Sequence, residues 1–298
     1  MMRQLYLAML GIVTVPIAVT STLGAPDAAS FKVICMSGTV HVQTPSGTWQ
    51  PLKSGATFTN ASRIRIGSAS YLAAVDPSGY PFECSKPGDT SFTPTRRPKQ
   101  HSSALVKITS YLHDRATQEQ RGVITTGSAT RSADGMISDV FPTSTKVLQD
   151  TVRLTWRSNQ PVRLIFLDFT KKRLKSFDVA DGTFLVDMNT MQGERTKGCL
   201  YWMLASTSDT SVHTPEMCIL RATSQEREEI QEKLQRLQEE GMDPMDRSAG
   251  PLVSALLGAE YEQHGFKIDA LHWYTKACQQ APDVREFVVL RSNLLTNQ

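Results

Sequence analysis

Five cysteines are the residues of this 298-residue chain whose spacing bears most directly on chemistry: Cys35, Cys84, Cys199, Cys218 and Cys278. None forms a Cys-x-x-Cys pair or a Cys/His cluster with metal-ligand spacing, so we expect no zinc site. In an oxidising compartment we predict two disulfides, Cys35 with Cys84 and Cys199 with Cys218. Cys278 falls on a helical face and is predicted to be a small buried apolar residue. Five unpaired, buried thiols remain the alternative.

The known catalytic motifs are missing from the sequence. It has no Gly-x-Ser-x-Gly elbow, His-Glu-x-x-His helix, glycine-rich phosphate loop or Asp-rich calcium loop. The paired carboxylates Glu228-Glu229 and Glu239-Glu240 fit the solvated surface of a helix. We therefore predict a protein that is not an enzyme, with no catalytic, cofactor-binding or metal-binding residues. An enzyme with a site built from dispersed residues stays open as a further hypothesis.

Composition and charge narrow the class of protein. Apolar residues make up 40% of the chain and charged residues 20%, which is enough to build cores, and the length favours two or three domains. The net charge is only +3, and no basic stripe is present. We therefore expect no nucleic-acid partner.

The N-terminus has the pattern of a secretory signal. Arg3 precedes an apolar run, Leu5–Val19, which small and polar residues follow. The run is shorter than the roughly 20 residues that a membrane helix needs. Residues 1–29 are therefore predicted to be a signal peptide, with an uncleaved anchor as the alternative. In both cases the rest of the chain is expected to lie outside the cytoplasm, touching a membrane only through an uncleaved N-terminus or through a partner.

Residues 31–92 read as short strands separated by turns. Ile64 and Ile66 alternate with Arg63 and Arg65, which places isoleucines on one face and arginines on the other. The elements Gly38-Thr39-Val40-His41-Val42, Trp49-Gln50-Pro51-Leu52, Gly55 and Ile64-Arg65-Ile66-Gly67-Ser68-Ala69-Ser70 follow in order. Together they resemble the FecR domain. The resemblance implies a small exported all-β module for interaction or sensing, without chemistry of its own.

The chain differs from the FecR regulators at its N-terminus, and a linker is expected after the FecR-like module. FecR regulators carry a cytoplasmic segment before their membrane span, whereas few residues precede the apolar run here, so we do not expect their signalling circuit. Residues 93–145 are predicted to be a linker, because Thr93-Pro94-Thr95-Arg96-Arg97-Pro98 suits neither helix nor strand. A short amphipathic helix is expected within it at Ser103–Gln118.

Residues 146–221 are predicted to form a second β module. Six strand-like runs, Val152–Trp156, Val162–Phe169, Lys175–Val179, Thr183–Val186, Cys199–Leu204 and Met217–Leu220, alternate with turn residues. This spacing favours a β-sandwich, with Trp156 and Trp202 in its core. The module resembles the immunoglobulin-like and fibronectin-III-like domains of envelope proteins.

In residues 222–298 the apolar residues recur at helical spacing, so this part of the chain is predicted to be a helical domain. Thr223 and Glu226 fit a capping box. The following pattern of small and large residues resembles the tetratricopeptide repeat: Leu257, Gly258, Tyr261, Gly265, Ala270, Tyr274, Ala277 and Pro282. A single repeat cannot bury its own faces, so it is expected to dock on a partner or on a β module.

The predicted fold class is therefore multi-domain α+β, with strands and helices segregated along the chain: two small all-β modules, FecR-like and then a β-sandwich, are followed by an α-helical tail. The leading functional hypothesis is a non-enzymatic scaffold or adaptor of the cell envelope that binds another envelope or secreted protein. The alternative is an extracytoplasmic sensory module that binds a glycan or another ligand. Aromatic side chains gathered on one exposed sheet face would favour the glycan. An exposed concave helical face near Tyr261 and His264 would favour a protein partner.

Overall fold

The computed structural model describes residues 30–91, 103–117, 137–191, 199–209, 211–240, 242–243 and 249–296. The predicted signal peptide lies outside the described residues. Much of the predicted linker lies outside them as well.

The first β module consists of eight short strands in two antiparallel sheets. The strands are β1 (Ser30–Ser37), β2 (Val40–Gln43), β3 (Trp49–Pro51), β4 (Thr57–Thr59), β5 (Arg63–Ile66), β6 (Tyr71–Val75), β7 (Pro81–Cys84) and β8 (Gly88–Ser91). Sheet I has the order β4-β1-β6-β7, and sheet II has the order β3-β2-β5-β8. The buried side chains between the sheets are Phe31, Val33, Val40, Leu52, Phe58, Ile64, Ile66, Leu72 and Ala74.

The alternation in β5 predicts its two faces correctly. Ile64 and Ile66 are buried, whereas Arg63 and Arg65 are exposed and reach Asp89 on β8. Strand β6 behaves differently, because all five of its residues are buried. A strand buried on both faces needs a cover on each side. Sheet II provides one cover for sheet I, and helices provide the other.

Within the described residues, the second β module also has eight strands in two sheets. They are β9 (Ile137–Phe141), β10 (Ser144–Val147), β11 (Thr151–Ser158), β12 (Val162–Leu167), β13 (Arg173–Val179), β14 (Thr183–Asp187), β15 (Cys199–Ser206) and β16 (Met217–Arg221). Sheet III has the order β14-β11-β9, and sheet IV has the order β10-β16-β15-β12-β13. Strands β10 and β16 are parallel, and the other neighbours are antiparallel. Trp202, Phe166 and Leu154 are fully buried in the shared core, and Trp156 is nearly so.

Two strands of this module lie in residues that the sequence analysis assigned to the linker. Strand β9 pairs with β11, and β10 begins at Ser144 beside β16. The Ser138-Asp139 pair interrupts the apolar alternation in β9, and Asp139 has a φ of 51°. Because neither feature is typical of a strand, the periodicity did not reveal β9.

The helices are α1 (Ser103–Thr117), α2 (Met188–Met191), α3 (Ser224–Glu239), α4 (Pro251–Gln263), α5 (Lys267–Gln280) and α6 (Arg285–Thr296). Helix α1 matches the predicted amphipathic helix, and the predicted capping box between Thr223 and Glu226 is present at the start of α3. Helices α1, α4, α5 and α6 bury their apolar side chains in one cluster with Ile34, Cys35 and Tyr71 of sheet I.

The chain thus has mixed α+β content, with sheets in its N-terminal and middle parts and helices at its C-terminus. None of the helices within the described residues is both long enough and apolar enough to span a membrane. The helices are not a separate tail, because α1 and the C-terminal helices share a core with the first β module.

Candidate functional site

The residues of the helical signature come together at the contact between α4 and α5. Leu257, Ala270, Tyr274 and Ala277 are almost completely buried there. Gly258 is essential to the close approach, because a Cβ at this position would lie 2.5 Å from Cδ1 of Tyr274. The Tyr274 hydroxyl donates a 2.7 Å hydrogen bond to Glu262 of α4. Pro282 lies between the end of α5 and the start of α6.

The concave helical surface near His264 is occupied by another part of the chain. Lys233 of α3 lies 2.5 Å from Nε2 of His264 and 3.3 Å from a carboxylate oxygen of Glu260. Ile230 of α3 packs in a small cluster with Phe266, against which Tyr261 also packs. The face that would receive a peptide is therefore covered by α3.

The α4–α5 hairpin also joins the two β modules. At its turn, the backbone carbonyl of Gly265 accepts a 2.9 Å hydrogen bond from the Lys146 amide of β10. The Lys146 ammonium forms a 2.6 Å ion pair with Glu226 of α3. This hydrogen-bonded ion pair, aided by the Thr223 amide, lowers the pKa of Glu226 from 4.5 to about 2. A backbone hydrogen bond thus holds the hairpin to β10, and the ion pair holds α3 to the same strand.

A partly buried carboxylate, that of Glu83, fixes the first module to the start of α4. The Tyr71 hydroxyl donates a 2.6 Å hydrogen bond to Glu83, and the Val253 amide approaches the same carboxylate at 3.4 Å. Gly250 precedes α4, and a Cβ there would lie 2.2 Å from Oε2 of Glu83, so a larger residue would require the Glu83 carboxylate to move. Burial raises the pKa of Glu83, while the Tyr71 hydroxyl opposes the shift. The contact places an acceptor at a helix N-terminus, where amides lack partners.

A second buried carboxylate anchors α1. Arg115 donates a 2.9 Å hydrogen bond to Glu262, whose side chain is only 8% exposed. Burial, followed by the charge of Glu262, raises the pKa of Tyr111 to about 12. These groups bond to one another within the core rather than converging on an open cleft. The arrangement therefore stabilises the packing of α1 on α4 and offers no group to a substrate.

The cysteines follow one of the two predicted pairings. Cys199 and Cys218 form a disulfide between the neighbouring strands β15 and β16, with Cα atoms 6.2 Å apart, which confirms that prediction. The predicted Cys35–Cys84 bond is wrong, because both thiols are free. Strand β6 separates β1 from β7, and Cys35 belongs to the helix-side core whereas Cys84 packs against the core between the sheets. Cys278 is a buried free thiol, as predicted.

The outer face of sheet IV differs from the other outer sheet faces of the described chain because apolar side chains cover much of it. Strand β15 is apolar from Cys199 to Ala205 and β12 is apolar apart from Arg163, a composition typical of strands covered on both faces. Their inward side chains pack against sheet III. Their outward side chains form, with the disulfide and β16, an apolar patch that we call the sheet IV face: Ile165, Leu167, Cys199, Tyr201, Met203, Cys218 and Leu220. Leu167 and Cys199 are buried within the chain, Leu220 is exposed, and the other four side chains are partly buried.

The strand register makes this face continuous. Ile165 lies opposite Met203, and Leu167 lies opposite Tyr201. Tyr201 is in turn opposite Cys218. Leu220 completes the face on β16 and is 40% exposed. An apolar stripe therefore crosses three adjacent strands, and aromatic and Met side chains of this kind are enriched where proteins meet.

Ion pairs border the sheet IV face. Arg163 and Asp178 pair at 2.6 Å across β12 and β13. Lys171, in the turn between those strands, pairs with Glu216 at 2.5 Å and places its ammonium 3.2 Å from the Tyr201 ring centroid. Apolar side chains thus occupy the middle of the face and charged ones its edge, as in many protein-interaction surfaces, while the Lys171 ammonium covers the Tyr201 ring. The only sign of this face in the sequence is the pair of largely apolar runs, Leu164–Leu167 and Cys199–Ala205.

No group of His, Cys, Asp or Glu side chains within the described ranges could hold a metal ion. The chain matches no family model, and no curated protein is significantly similar to it.

Proposed function

We propose that this protein is a non-enzymatic scaffold or adaptor of the cell envelope that works by contacting another protein through the sheet IV face. The observation that carries the proposal is the apolar outer surface of sheet IV, which has charged residues at its edge. Strands β12 and β15 have apolar side chains on both sides of the sheet, as strands do that are covered on both faces. A face of this composition gains free energy by leaving water, at about 25 cal/mol for each Å² of apolar surface buried.

The architecture supports a scaffold rather than a sensor with moving modules. The α4–α5 hairpin contacts the first module through Glu83 and the second through Gly265. Helix α3 fills the surface near His264, so the hairpin is engaged within the chain. The hairpin would thus hold the two β modules in a fixed relation and leave the sheet IV face for a partner.

We propose a family resemblance for each of the two β modules and for the α4–α5 hairpin, based on their sequence motifs. The first module is FecR-like, with two facing four-stranded sheets. The second is an immunoglobulin-like sandwich, in which three strands face five. The α4–α5 hairpin is a tetratricopeptide-type unit that docks on a β module rather than in an array. Export is proposed from the Arg3 and Leu5–Val19 pattern, and the Cys199–Cys218 disulfide fits an oxidising compartment.

Within the described residues, the outer face of sheet II does not gather several exposed aromatic side chains, the feature that would favour the glycan-binding alternative. The outer face of sheet II carries Trp49, and the Arg65 guanidinium stacks on this ring, 4.1 Å from its centroid. Asp89 holds that guanidinium through two hydrogen bonds of 2.6 and 3.0 Å. A sugar would have to displace this arrangement before stacking on the ring. We therefore do not propose a glycan as the ligand of this face.

Site-specific photo-crosslinking in living cells tests the proposal. A photoreactive amino acid replaces Met203, at the middle of the sheet IV face, or Leu185, which is 57% exposed on the outer face of sheet III. We expect discrete protein adducts from position 203 and none from position 185. Equal yields from the two positions, or no adduct at 203 in a folded and exported protein, would overturn the proposal.

A further inference from the structure

We infer that α3 is a cover on the α4–α5 hairpin that loosens as the pH falls, because its contact with the hairpin cannot form while Lys233 and His264 are both protonated. Lifting the second half of α3 would uncover the surface around His264 and Tyr261, where Leu234 packs. The device is separate from the sheet IV face and gives the protein a second surface whose exposure is regulated.

Helix α3 is attached by few side chains. Within its 16 residues only Ile230 and Leu237 are buried. Its first turn is fastened to β10 by the Lys146–Glu226 ion pair. Farther along the helix, Lys233 makes polar contacts with the hairpin. A weaker Lys233 contact therefore loosens the second half of α3.

The contact between Lys233 and His264 limits how many protons the two groups can carry. Nζ of Lys233 lies 2.5 Å from Nε2 of His264, and Nδ1 of His264 lies 2.8 Å from the carbonyl oxygen of Glu260. Because a carbonyl only accepts, we assign the imidazole proton to Nδ1, which leaves Nε2 to accept from the ammonium. A second proton on the imidazole would set two N–H donors and two positive charges against each other. The contact therefore needs one proton fewer than the separated groups carry in acid.

The nearest carboxylate does not remove this conflict. The Glu260 side chain, on α4, is only 5% exposed and lies 3.3 Å from Nζ of Lys233 and 3.5 Å from Nδ1 of His264. One carboxylate balances one of the two cations, so the doubly protonated pair keeps a net positive charge at a partly buried contact. One turn away from Lys233 on α3, the charged side chains Glu229 and Arg236 are exposed to solvent.

Two further elements bring charged groups to the turn that contains His264. From β10 comes Lys146, whose partner Glu226 has its pKa lowered to about 2, so this pair stays charged at the pH values at which histidine titrates. On α5, burial lowers the pKa of Lys267 and raises that of Asp269. These groups remain when His264 is replaced, so a variant at that position separates their titration from that of the histidine.

Acid should favour the open position of α3. A fall in pH favours the state that binds more protons, which is the state with Lys233 and His264 apart. An unperturbed histidine is half protonated at about pH 6.5. Uptake of one proton over this range raises the open population by at most about tenfold between pH 7.5 and 5.5. Because Glu260 also stabilises an imidazolium, we expect a rise of several-fold.

Hydrogen–deuterium exchange of the full chain at pH 7.5 and 5.5 tests the inference, with each rate divided by the intrinsic amide rate at that pH. In the wild type, the second half of α3 should open several-fold more often at the lower pH, while α5 keeps its protection. His264→Gln removes the titrating group and leaves an acceptor for Lys233, so its α3 should show no such step. His272→Gln, at an exposed histidine of α5, is the matched control and should behave like the wild type.

The absence of a step in the wild type, or a step of equal size in His264→Gln, overturns the inference. So does loss of the step in His272→Gln. If α3 of His264→Gln is unprotected at both pH values, Lys233→Gln decides. Its amide can pair with either protonation state of His264, so the step should vanish in this variant, and a step that persists overturns the inference.

Discussion

The replacement Gly258→Ala tests the packing of the central hairpin, because two physical effects predict opposite signs. In an isolated helix, alanine is more favourable than glycine by about 1 kcal/mol. In this structure the new methyl group would lie 2.5 Å from Cδ1 and 2.6 Å from Cε1 of Tyr274, which is fully buried. The ring cannot move freely, since its hydroxyl is bonded to Glu262.

The expected cost has two parts. Overpacking in a filled core costs about 1–3 kcal/mol. Displacing the ring also weakens its hydrogen bond to a carboxylate, and such bonds contribute about 1.5–3 kcal/mol. If the hydrogen bond is lost and the gain in helix propensity is subtracted, Gly258→Ala should lower the free energy of unfolding by about 1.5–5 kcal/mol. Urea denaturation, followed by circular dichroism, measures the change.

Making the same replacement in a Tyr274→Leu variant separates the effect of the Gly258–Tyr274 contact from general damage to α4. In Tyr274→Leu the ring is absent, so adding Gly258→Ala should be neutral or stabilising by up to about 1 kcal/mol. The difference between the two backgrounds is the coupling energy of a double-mutant cycle. A stabilising effect of Gly258→Ala in the wild-type background would refute the close contact of α4 and α5.

Further predictions concern export, the disulfide, acid stability and the hairpin. N-terminal sequencing of the mature protein should show that the first 20 to 30 residues are removed; intact Met1 in a cytosolic fraction would argue against export. Non-reducing peptide mapping should recover Cys199 linked to Cys218 and the other three cysteines as thiols. Because the folded state lowers the pKa of Glu226, its stabilising contribution is present above pH 4.5 and is lost towards pH 2. Glu226→Gln should therefore be less stable than the wild type at pH 7, and urea titrations should give equal stabilities near pH 2. Ala270→Leu should loosen the first β module together with the helices, as limited proteolysis can detect; damage confined to the helices would contradict the shared core.

The elements with clear periodicity could be predicted from the sequence. The six expected runs of the second module are β11 to β16, within a few residues at their ends. The helix predicted at Ser103–Gln118 is α1, and the small residues Gly258, Ala270 and Ala277 lie where two helices meet. These features depend on interactions between near neighbours in sequence, which patterns of apolar and small residues reveal.

The contacts between modules could not be predicted, because they join residues far apart in sequence. The Glu83 carboxylate contacts the start of α4 at Val253, which is 170 positions later in the chain. The Cys35–Cys84 pairing failed for a related reason: sequence spacing does not show which face of a sheet a side chain occupies across an intervening strand. Helix α1 was assigned to a linker because its buried partners, α4 and α6, lie at the other end of the chain.

Hydroxyl-radical footprinting of intact envelopes tests most directly whether the sheet IV face contacts a partner. The labelling of Tyr201, Met203 and Leu220 is compared between envelopes and dilute purified protein, with Leu185 as the internal reference. We predict that the three residues of the face are labelled several times less in the envelope, while Leu185 is labelled equally in both samples. Equal labelling of the face in both samples would contradict the account.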